Sequence, residues 1–357
     1  MKFLSQTQPE EFFGKKVLVR LDLNVPSLTD TDRITQSLPT IEFLKSAGAR
    51  VIIISHIGRD SGETLAPIAE FMGIPLVKDF DTAILETHQV IMLENLRQHS
   101  EEEANDDTFA KTLASYADSY VNDAFAVSHR SHASVVGVPK YLPRYAGLQM
   151  EQEINHLSQA FHPTSPSVLV LGGAKFETKL PVIQKFLPMV DHILIGGALV
   201  NNFYKEMGYE IGSSLIDQTA NINHLIGNPK MLIPGTVVVE SEKGQYEKLV
   251  TEVIPGEKIV DSAESGLDAF KDIFSNAQFV IWNGPLGNYE NGFVAGTKKM
   301  VELIASSQGT SMVGGGDSVA LIEQLGLADK FTFLSTGGGA MLDYLANGTL
   351  PGIDALG

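Results

Sequence analysis

The chain has 357 residues, of which 43% are hydrophobic, so it can bury a large core, and its length favours two domains over one. Its net charge of −17 argues against a general affinity for nucleic acid or anionic membranes. There is no cysteine, which excludes disulfides, thiolate metal sites and cysteine nucleophiles. Because Met1–Gln6 has no long apolar core and no apolar run reaches transmembrane length, we expect a cytoplasmic protein without signal peptide or membrane span.

Short runs rich in Val, Ile and Leu alternate with amphipathic stretches along the whole chain. Predicted strands are Lys16–Leu21, Arg50–Ser55, Gln89–Leu93, Ser119–Asn122, Ser167–Leu171, His192–Ile195, Thr236–Val239, Phe279–Trp282, Ser311–Val313 and Phe331–Leu334. Predicted helices between them include Thr40–Ala47, Phe109–Ala117, Leu199–Met207, Lys298–Ala305 and Val319–Leu325. Regular β–α alternation predicts an α/β protein with doubly wound parallel sheets covered by helices.

The domain boundary is expected near the middle of the chain. A polar helix over Gln149–Phe161 is followed by His162-Pro163-Thr164-Ser165-Pro166, which reads as a connecting helix and a breaker. We therefore predict a first domain over residues 1–148, a connecting helix over 149–161 and a second domain that begins at 162. Two sheets with functional edges, joined by one helix, favour a ligand site in a cleft between the domains.

Polar residues follow the strands of the first half, at the carboxyl ends where open parallel sheets bind ligands. These residues are Asp22, Asn24, His56, Arg59, Arg97, Asn122, Asp123, His129 and Arg130. Each arginine, with Arg33, could be an ordinary surface residue, but guanidinium groups are also the preferred planar ligands of carboxylate and phosphate. His129 and His132 are a weak match to a metal pair, and Glu101-Glu102-Glu103 is expected to be a solvated loop.

Glycine runs occupy the equivalent positions in the second half. The runs are Gly172-Gly173, Gly196-Gly197, Gly314-Gly315-Gly316 and Gly337-Gly338-Gly339. Glycine lets the backbone approach a bulky anion and direct N–H groups at it, so four such turns predict a phosphate-rich ligand, most simply a nucleotide. The chain has neither the G-x-x-x-x-G-K-[ST] loop nor G-x-G-x-x-G, which disfavours a P-loop NTPase and a dinucleotide dehydrogenase.

Three charged residues beside these runs have two readings each. Lys175 and Lys179 are either a solvated pair or two ammonium groups aimed at phosphates near a helix N-terminus. Asp317 is either an ordinary N-cap or a ligand of Mg²⁺ bound to a nucleotide.

Taken together, these strings resemble the phosphoglycerate kinase family along nearly the whole chain. The resemblance rests on Val17–Pro26, Ser55–Arg59, Leu93–Arg97, Val121–Phe125, His129–Ser134, Leu171–Lys175, Trp282–Pro285, Gly314–Ser318 and Ser335–Ala340, in family order. It implies two α/β domains of similar size hinged about the central helix, with the second over 162–340 and a tail over 341–357 returning toward the first. It also implies a monomer. Because Lys175 and Arg33 belong to different domains, the cleft must close to bring both to the transferred group.

The resemblance assigns two substrates. It implies reversible phosphoryl transfer between 1,3-bisphosphoglycerate with ADP and 3-phosphoglycerate with ATP, with Mg²⁺ held by Asp317, and catalytic roles for Arg33, Lys175 and Lys179. The implied phosphoglycerate ligands are Asp22, Asn24, Arg33, His56, Arg59, Arg97 and Arg130. The implied nucleotide ligands are Gly172, Gly173, Lys175, Lys179, Gly196, Gly197, Leu215, Asn283, Glu290, Gly315, Gly316, Asp317 and Ser318, with Glu290 on the ribose.

Three departures from the family pattern stand out. Ala126 replaces a usual Gly, and Ser318 replaces a usual Thr with its hydroxyl kept. The family's Asp-x-Gly-Pro loop is absent: Asp261-Ser262-Ala263-Glu264 occupies its place, or Gly266-Leu267-Asp268 if the loop is deleted. The alternative to an active kinase is therefore a divergent paralogue that binds nucleotide or phosphoglycerate with little turnover.

Overall fold

The structure is a computed structural model that describes residues 1–25, 31–58, 62–78, 84–218 and 221–357. The chain divides into two compact units. Unit 1 contains Met1–Asn155 and Asn347–Gly357, and unit 2 contains His156–Ala346.

Unit 1 is built on a six-stranded sheet whose pairings are all parallel. Its strands are β1 (Lys16–Arg20), β2 (Arg50–Ile54), β3 (Leu76–Val77), β4 (Val90–Leu93), β5 (Ser119–Asn122) and β6 (Arg144–Ala146), in the order β3-β4-β2-β1-β5-β6. Both faces of β1 are covered, because Val17, Leu18 and Val19 are all fully buried. A continuous apolar run is what a central parallel strand requires.

Unit 2 has a second six-stranded parallel sheet and a smaller sheet. Its strands are β7 (Ser167–Leu171), β8 (His192–Ile195), β9 (Met231–Leu232), β10 (Thr236–Ser241), β11 (Gly244–Leu249), β12 (Lys258–Ser262), β13 (Phe279–Asn283), β14 (Thr310–Gly314) and β15 (Phe333–Ser335). The parallel sheet has the order β15-β14-β13-β7-β8-β9. The prediction of two parallel-sheet α/β domains is confirmed.

One predicted strand belongs to a different sheet from the one expected. β10, predicted over Thr236–Val239 within the β–α alternation, pairs antiparallel with β11 and β12 instead. Thr236–Ser241 and Gly244–Leu249 are joined by a two-residue turn, which only an antiparallel hairpin permits. The β–α pattern was misleading here because the hairpin partner of β10 could not be recognised in the sequence. β11 is largely polar and exposed, so it has no apolar run.

Helices connect the strands and cover both parallel sheets. They are α1 (Asp32–Ser46), α2 (Ala66–Met72), α3 (Ile84–Thr87), α4 (Ser100–Glu103), α5 (Asp107–Ala114), α6 (Leu148–Leu157), α7 (Phe176–Phe186), α8 (Leu199–Glu206), α9 (Glu264–Asp268), α10 (Lys271–Asn276), α11 (Ala295–Ala305), α12 (Gly316–Gln324), α13 (Gly339–Asn347) and α14 (Pro351–Asp354). In the described part of the chain, none of them is both long and apolar enough to cross a membrane.

Each unit has its own hydrophobic core. In unit 1 the core joins β1 and β2 to the inner face of α1 through residues such as Ile34, Ile41 and Leu44. In unit 2 it surrounds Trp282, the chain's only tryptophan, which is fully buried on β13. The cores fix the sheets, and the sheets fix the positions of the loops at the strand ends.

Candidate functional site

In each parallel sheet, two neighbouring strands lead to connections that run in opposite directions. In unit 1 these strands are β1 and β5, and in unit 2 they are β7 and β13. At such a switch point the two following loops separate and leave a crevice at the carboxyl edge, where α/β sheets bind ligands. In unit 1 Asp22 and Asn24 follow β1, and in unit 2 Gly172 follows β7 while Asn283 ends β13.

A polar cluster at the end of β1 begins with an ion pair. Arg33 in the first turn of α1 donates from Nη1 to Oδ2 of Asp22 at 2.9 Å, and to the carbonyl of Asn24 at 3.2 Å. Oδ1 of Asn24 accepts from the N–H of Gly58 at 2.8 Å. Asp22 and Asn24 therefore orient Arg33 and the loop that follows β2.

His56 lies beside a buried arginine that the sequence reasoning did not assign to the site. Nη2 of Arg20 is 3.0 Å from Nδ1 of His56, and Nε of Arg20 donates to Oγ of Ser134 at 2.9 Å. Both Arg20 and His56 are buried. Burial, then the charges of Arg20 and Arg97, lowers the pKa of His56 to about 2. Because Arg20 is the last residue of β1, its position at a strand end could have identified it as a site residue from the sequence.

Two further arginines and a histidine approach the same edge. Arg97 donates from Nη1 to the carbonyl of Gly58 at 2.7 Å, and its Nε, 3.4 Å from Glu103, has no hydrogen-bond partner among the described residues. Burial and the nearby Arg130 lower the pKa of Arg97, and burial and Arg130 lower that of His132 to about 4. The charge of Arg130 affects Arg97 more strongly than the carboxylate of Glu103 does, so this edge favours binding of an anion.

The expectation of a solvated loop at Glu101–Glu103 is wrong for its central residue. These residues form helix α4, and Glu102 is buried, accepting from the backbone N–H and the hydroxyl of Ser134 at 2.9 and 2.5 Å. A short acidic run gave no sign of this role, because burial of Glu102 depends on Ser134, 32 residues away.

Two predictions in unit 1 have simple outcomes. Arg59 lies outside the described residues. The weak metal-pair reading of His129 and His132 gains no support, since the described ranges hold no group of three or more His, Cys, Asp or Glu that could bind a metal ion.

The glycines of the first two runs in unit 2 pack against neighbouring backbone. The N–H groups of Gly172 and Gly173 donate to the carbonyls of Asn283 and Pro285 at 2.9 and 2.7 Å, and those of Gly196 and Gly197 donate to other backbone carbonyls. A Cβ on Gly172 or Gly197 would clash with backbone atoms of the adjacent loops. The expectation that these N–H groups point at a phosphate is therefore wrong for these four: they bring the loops together.

The third glycine run is arranged differently, at the start of helix α12. Gly315 has φ of 101°, a conformation that favours glycine, and a Cβ on Gly316 would meet open space. The first N–H groups of a helix have no partner inside it and attract anions. Oγ of Ser318, in this first turn, is buried and has no hydrogen-bond partner within the described ranges. The start of α12 thus has the features of an anion site.

Two carboxylates accompany that helix start. Burial, followed by repulsion from Glu290, raises the pKa of Asp317. With its carboxylate close to that of Glu290 and to a nucleotide phosphate, Asp317 would fit Mg²⁺, which binds through one or two carboxylates together with substrate phosphates. The N-cap reading is not supported, because Gly315 occupies the N-cap position and Asp317 follows it inside the helix.

Lys175 and Lys179 stand at the start of helix α7. Lys175 is the exposed N-cap residue, and Lys179 is largely buried one turn on. Burial, then the charge of Lys175, lowers the pKa of Lys179. Nζ of Lys179 is 3.7 Å from the position a Cβ would take on Gly173. A buried ammonium group beside this turn disfavours the reading of a solvated pair.

Two further residues predicted to bind the nucleotide differ in burial. Asn283 is buried at the end of β13, with its carbonyl bonded to Gly172 and its Nδ2 3.5 Å from the carbonyl of Gly338. It therefore ties strand ends together. Leu215 is 56% exposed as a residue, while its carbonyl accepts from Nδ2 of Asn201 at 3.0 Å.

The segment in place of the Asp-x-Gly-Pro loop is part of the small antiparallel sheet. Asp261 lies on β12 and accepts from the N–H of Gly296 at 3.1 Å, at the start of α11. Ala263 has φ −72° and ψ 144°, which any residue adopts, and Glu264 begins helix α9. No left-handed backbone is needed at Ala263, so this position does not require glycine.

Comparisons with known proteins agree with this architecture. The family model described as phosphoglycerate kinase matches residues 8–348. The chain is 40% identical to a phosphoglycerate kinase of Dictyoglomus turgidum, covering 99% of this chain and 98% of that protein. It is 41% identical to one of Moorella thermoacetica, covering 97% of each.

Solved structures give the same result. The phosphoglycerate kinase of Pyrococcus horikoshii superposes with a TM-score of 0.87 at 30% identity, covering 100% of this chain and 98% of that one. That of Coxiella burnetii has a TM-score of 0.84 at 32% identity, covering 99% and 98%. These findings lend no support to a non-catalytic paralogue. The chain belongs to the phosphoglycerate kinase family of phosphotransferases.

Proposed function

We propose that unit 1 binds 3-phosphoglycerate or 1,3-bisphosphoglycerate and that unit 2 binds Mg-ADP or Mg-ATP. The observation that carries the proposal is the contrast between the two carboxyl edges. Unit 1 presents Arg97, Arg130 and Arg33 with neutral His56, whereas unit 2 presents the start of α12 and, on α7, the buried ammonium group of Lys179. A compact anion with a phosphate and a carboxylate suits the first, and an extended polyphosphate suits the second.

The chemistry needs little acid–base help. A carboxylate is a good leaving group from an acyl phosphate and a competent acceptor in the reverse direction. Catalysis is then positioning together with neutralisation of charge on the moving phosphoryl group. We assign this neutralisation to Arg33 and Lys175, with Lys179 on the nucleotide phosphates.

The proposed magnesium ligand is Asp317. When bound with the nucleotide, Mg²⁺ would neutralise phosphate charge. A bound cation would also relieve the repulsion between Asp317 and Glu290, so nucleotide and metal are expected to bind together. We assign Glu290 to the ribose hydroxyls and exposed Leu215 to the base. The monomeric state and cytoplasmic location stay predictions.

Calorimetry with each ligand separately tests whether unit 1 binds the phosphoglycerate and unit 2 the nucleotide. Arg97→Ala should weaken 3-phosphoglycerate binding and leave Mg-ADP binding unchanged, and Lys179→Ala should do the reverse. If either variant loses the other ligand instead, the assignment of the two units is wrong.

A further inference from the structure

Helix α1 carries Arg33 in its first turn and has a proline in its interior. Pro39 lies inside the helix, two residues after Ser37. Proline has no N–H, so the carbonyl of Thr35 loses its intrahelical partner and the helix is weakened there. The half of α1 that holds Arg33 is therefore less firmly tied to the half beyond Pro39.

Two side chains, one on each side of Pro39, join α1 to the first turn of α6. Before the proline, Oε1 of Gln36 accepts from Nε2 of Gln149 at 3.2 Å. After it, Oγ1 of Thr40 accepts from the backbone N–H of Leu148 at 2.9 Å. The same helix turn thus holds both halves of α1.

Asp123, directly after β5, also contacts the first turn of α6. We call the contacts of Gln36, Thr40 and Asp123 with this turn the junction. Its Oδ1 accepts from the N–H of Met150 at 3.0 Å, and its carboxyl also interacts with the hydroxyl of Thr40 and the N–H of Gln149. A Cβ on Gly147 would clash with this carboxyl, so glycine is needed for the close approach. Asp123 and Thr40 are both buried, and Oδ2 of Asp123 has no hydrogen-bond partner in the described part of the chain.

We propose that Thr40 and Asp123 are positioning residues for phosphoryl transfer: by fixing α1 to α6 across the proline, they hold Arg33 in its working position. The proposal rests on the catalytic role given to Arg33 above. Thr40 lies two helical turns from Arg33 and acts only through the helix, so neither Thr40 nor Asp123 is a catalytic residue. Chemistry of this kind is sensitive to small displacements, since a misplacement of about 1 Å can cost about 10²-fold in rate.

The groups that face the Asp123 carboxyl are all neutral. They are the Thr40 hydroxyl from α1 and the N–H groups of Gln149 and Met150 from α6, and no charged side chain shifts its pKa. Burial raises that pKa to about 7. Because burial disfavours the ionised carboxylate, Asp123 ionises more readily where its contact with α6 opens to water, so the junction is expected to loosen as the pH rises through 7.

The first test is Thr40→Val, which keeps the shape and removes the hydroxyl. We expect kcat for 3-phosphoglycerate and Mg-ATP to fall about 10-fold, with KM for Mg-ATP unchanged. Thr40→Ser should restore kcat. Thr35→Val is the matched control, because Thr35 lies on the exposed face of the same helix, and it should behave as the wild type. An unchanged kcat in Thr40→Val would overturn the proposal.

A double-mutant cycle separates positioning from a structural role. If Thr40 acts through Arg33, Thr40→Val should lower kcat little further in an Arg33→Ala background. A full 10-fold loss in that background would mean that Thr40 acts elsewhere or only on stability. Hydrogen exchange should also show faster exchange over residues 32–38 in Thr40→Val, with α7 unaffected, and equal exchange would count against the proposal.

Asp123→Asn provides the pH readout. It keeps the size of the side chain and cannot ionise, so the fall of kcat as the pH rises through 7 should disappear, whereas wild-type pH dependence in the variant would contradict the assignment. Failure of this inference is distinct from failure of the proposed function. An inactive wild-type protein would overturn the proposed function. An active protein in which Thr40→Val and Arg33→Ala lower kcat independently would overturn only the role of the junction.

Discussion

Nη2 of Arg20 lies 3.0 Å from Nδ1 of His56, and this contact fixes the protonation of the histidine. A guanidinium group can only donate, so Nδ1 must accept and the single ring proton resides on Nε2. His56 is thereby kept neutral, with a donor available at the edge of the sheet where the substrate is proposed to bind.

His56 should not titrate between pH 5 and pH 8. Its pKa is lowered to about 2, first by burial and then by Arg20 and Arg97, whereas in the unfolded chain it is about 6.5. The folded state therefore binds fewer protons below pH 6.5, so the contribution of His56 to stability is present above that pH and is lost as the pH falls. Nitrogen-15 NMR should show one Nε2–H tautomer over this range. A titration with a midpoint near 6.5 would contradict the contact.

Two glycines of the nucleotide unit should respond differently to the same substitution. Gly197→Ala puts a Cβ against the backbone of Gly173 at φ +60°, so we expect a large loss of thermal stability. Gly316→Ala meets open space at the start of α12, so stability should hold while Mg-ADP binding weakens. Thermal unfolding and calorimetry on both variants check this. Equal destabilisation would show that α12 does not have a separate ligand role.

The buried Asp123 should make folding weaker as pH rises from about 4 to 7. Burial raises its folded pKa to about 7, and its unfolded value is about 3.9, so the folded state holds a proton in this window that the unfolded chain has lost. Asp123→Asn should show a smaller decline in the free energy of unfolding between pH 4.5 and 7.5. Urea titrations at both pH values measure the difference, and parallel declines would mean that Asp123 ionises normally.

The missing Asp-x-Gly-Pro loop should lower nucleotide affinity through charge. Ala263 has an ordinary backbone conformation, so the difference falls on exposed Glu264 at the start of α9, whose carboxylate would repel phosphates subject to screening. Replacing Ala263-Glu264 with Gly-Pro should strengthen ADP binding in calorimetry at fixed salt and Mg²⁺. Glu264→Gln is the control for charge alone. Unchanged or weaker binding in both folded variants would show that this segment does not limit affinity.

The sequence predicted the parallel sheets well because their strands are buried on both faces. Val17–Val19 and Ser167–Leu171 are continuous apolar runs, and the observed strands match the predicted ones closely. Short edge strands such as Leu76–Val77 and Met231–Leu232 were missed, since two residues carry no period. The hairpin of β10 and β11 was missed because β11 is polar and exposed.

Side-chain roles were harder to predict than strands. A glycine that packs on a backbone and one that faces a ligand look alike in sequence, so Gly172 and Gly316 were given one role. Partners distant in the chain were also invisible: the buried Arg20 depends on Ser134, 114 residues away, and through it on Glu102. The residue types at the strand ends predicted which edge of each sheet holds the site. Which of those side chains are buried, and which groups they pair with, could be seen only in the folded structure.

The central claim is magnesium-dependent phosphoryl transfer between the two proposed substrates. The most direct measurement is a coupled assay of purified protein with 3-phosphoglycerate and Mg-ATP, beside Lys175→Ala and Arg33→Ala. We expect exchange in the wild type that stops when Mg²⁺ is chelated, and a loss of kcat of roughly 10²–10³-fold in each variant with little change in ATP binding. A rate equal to the no-enzyme control, in folded protein that binds both ligands, would contradict the account.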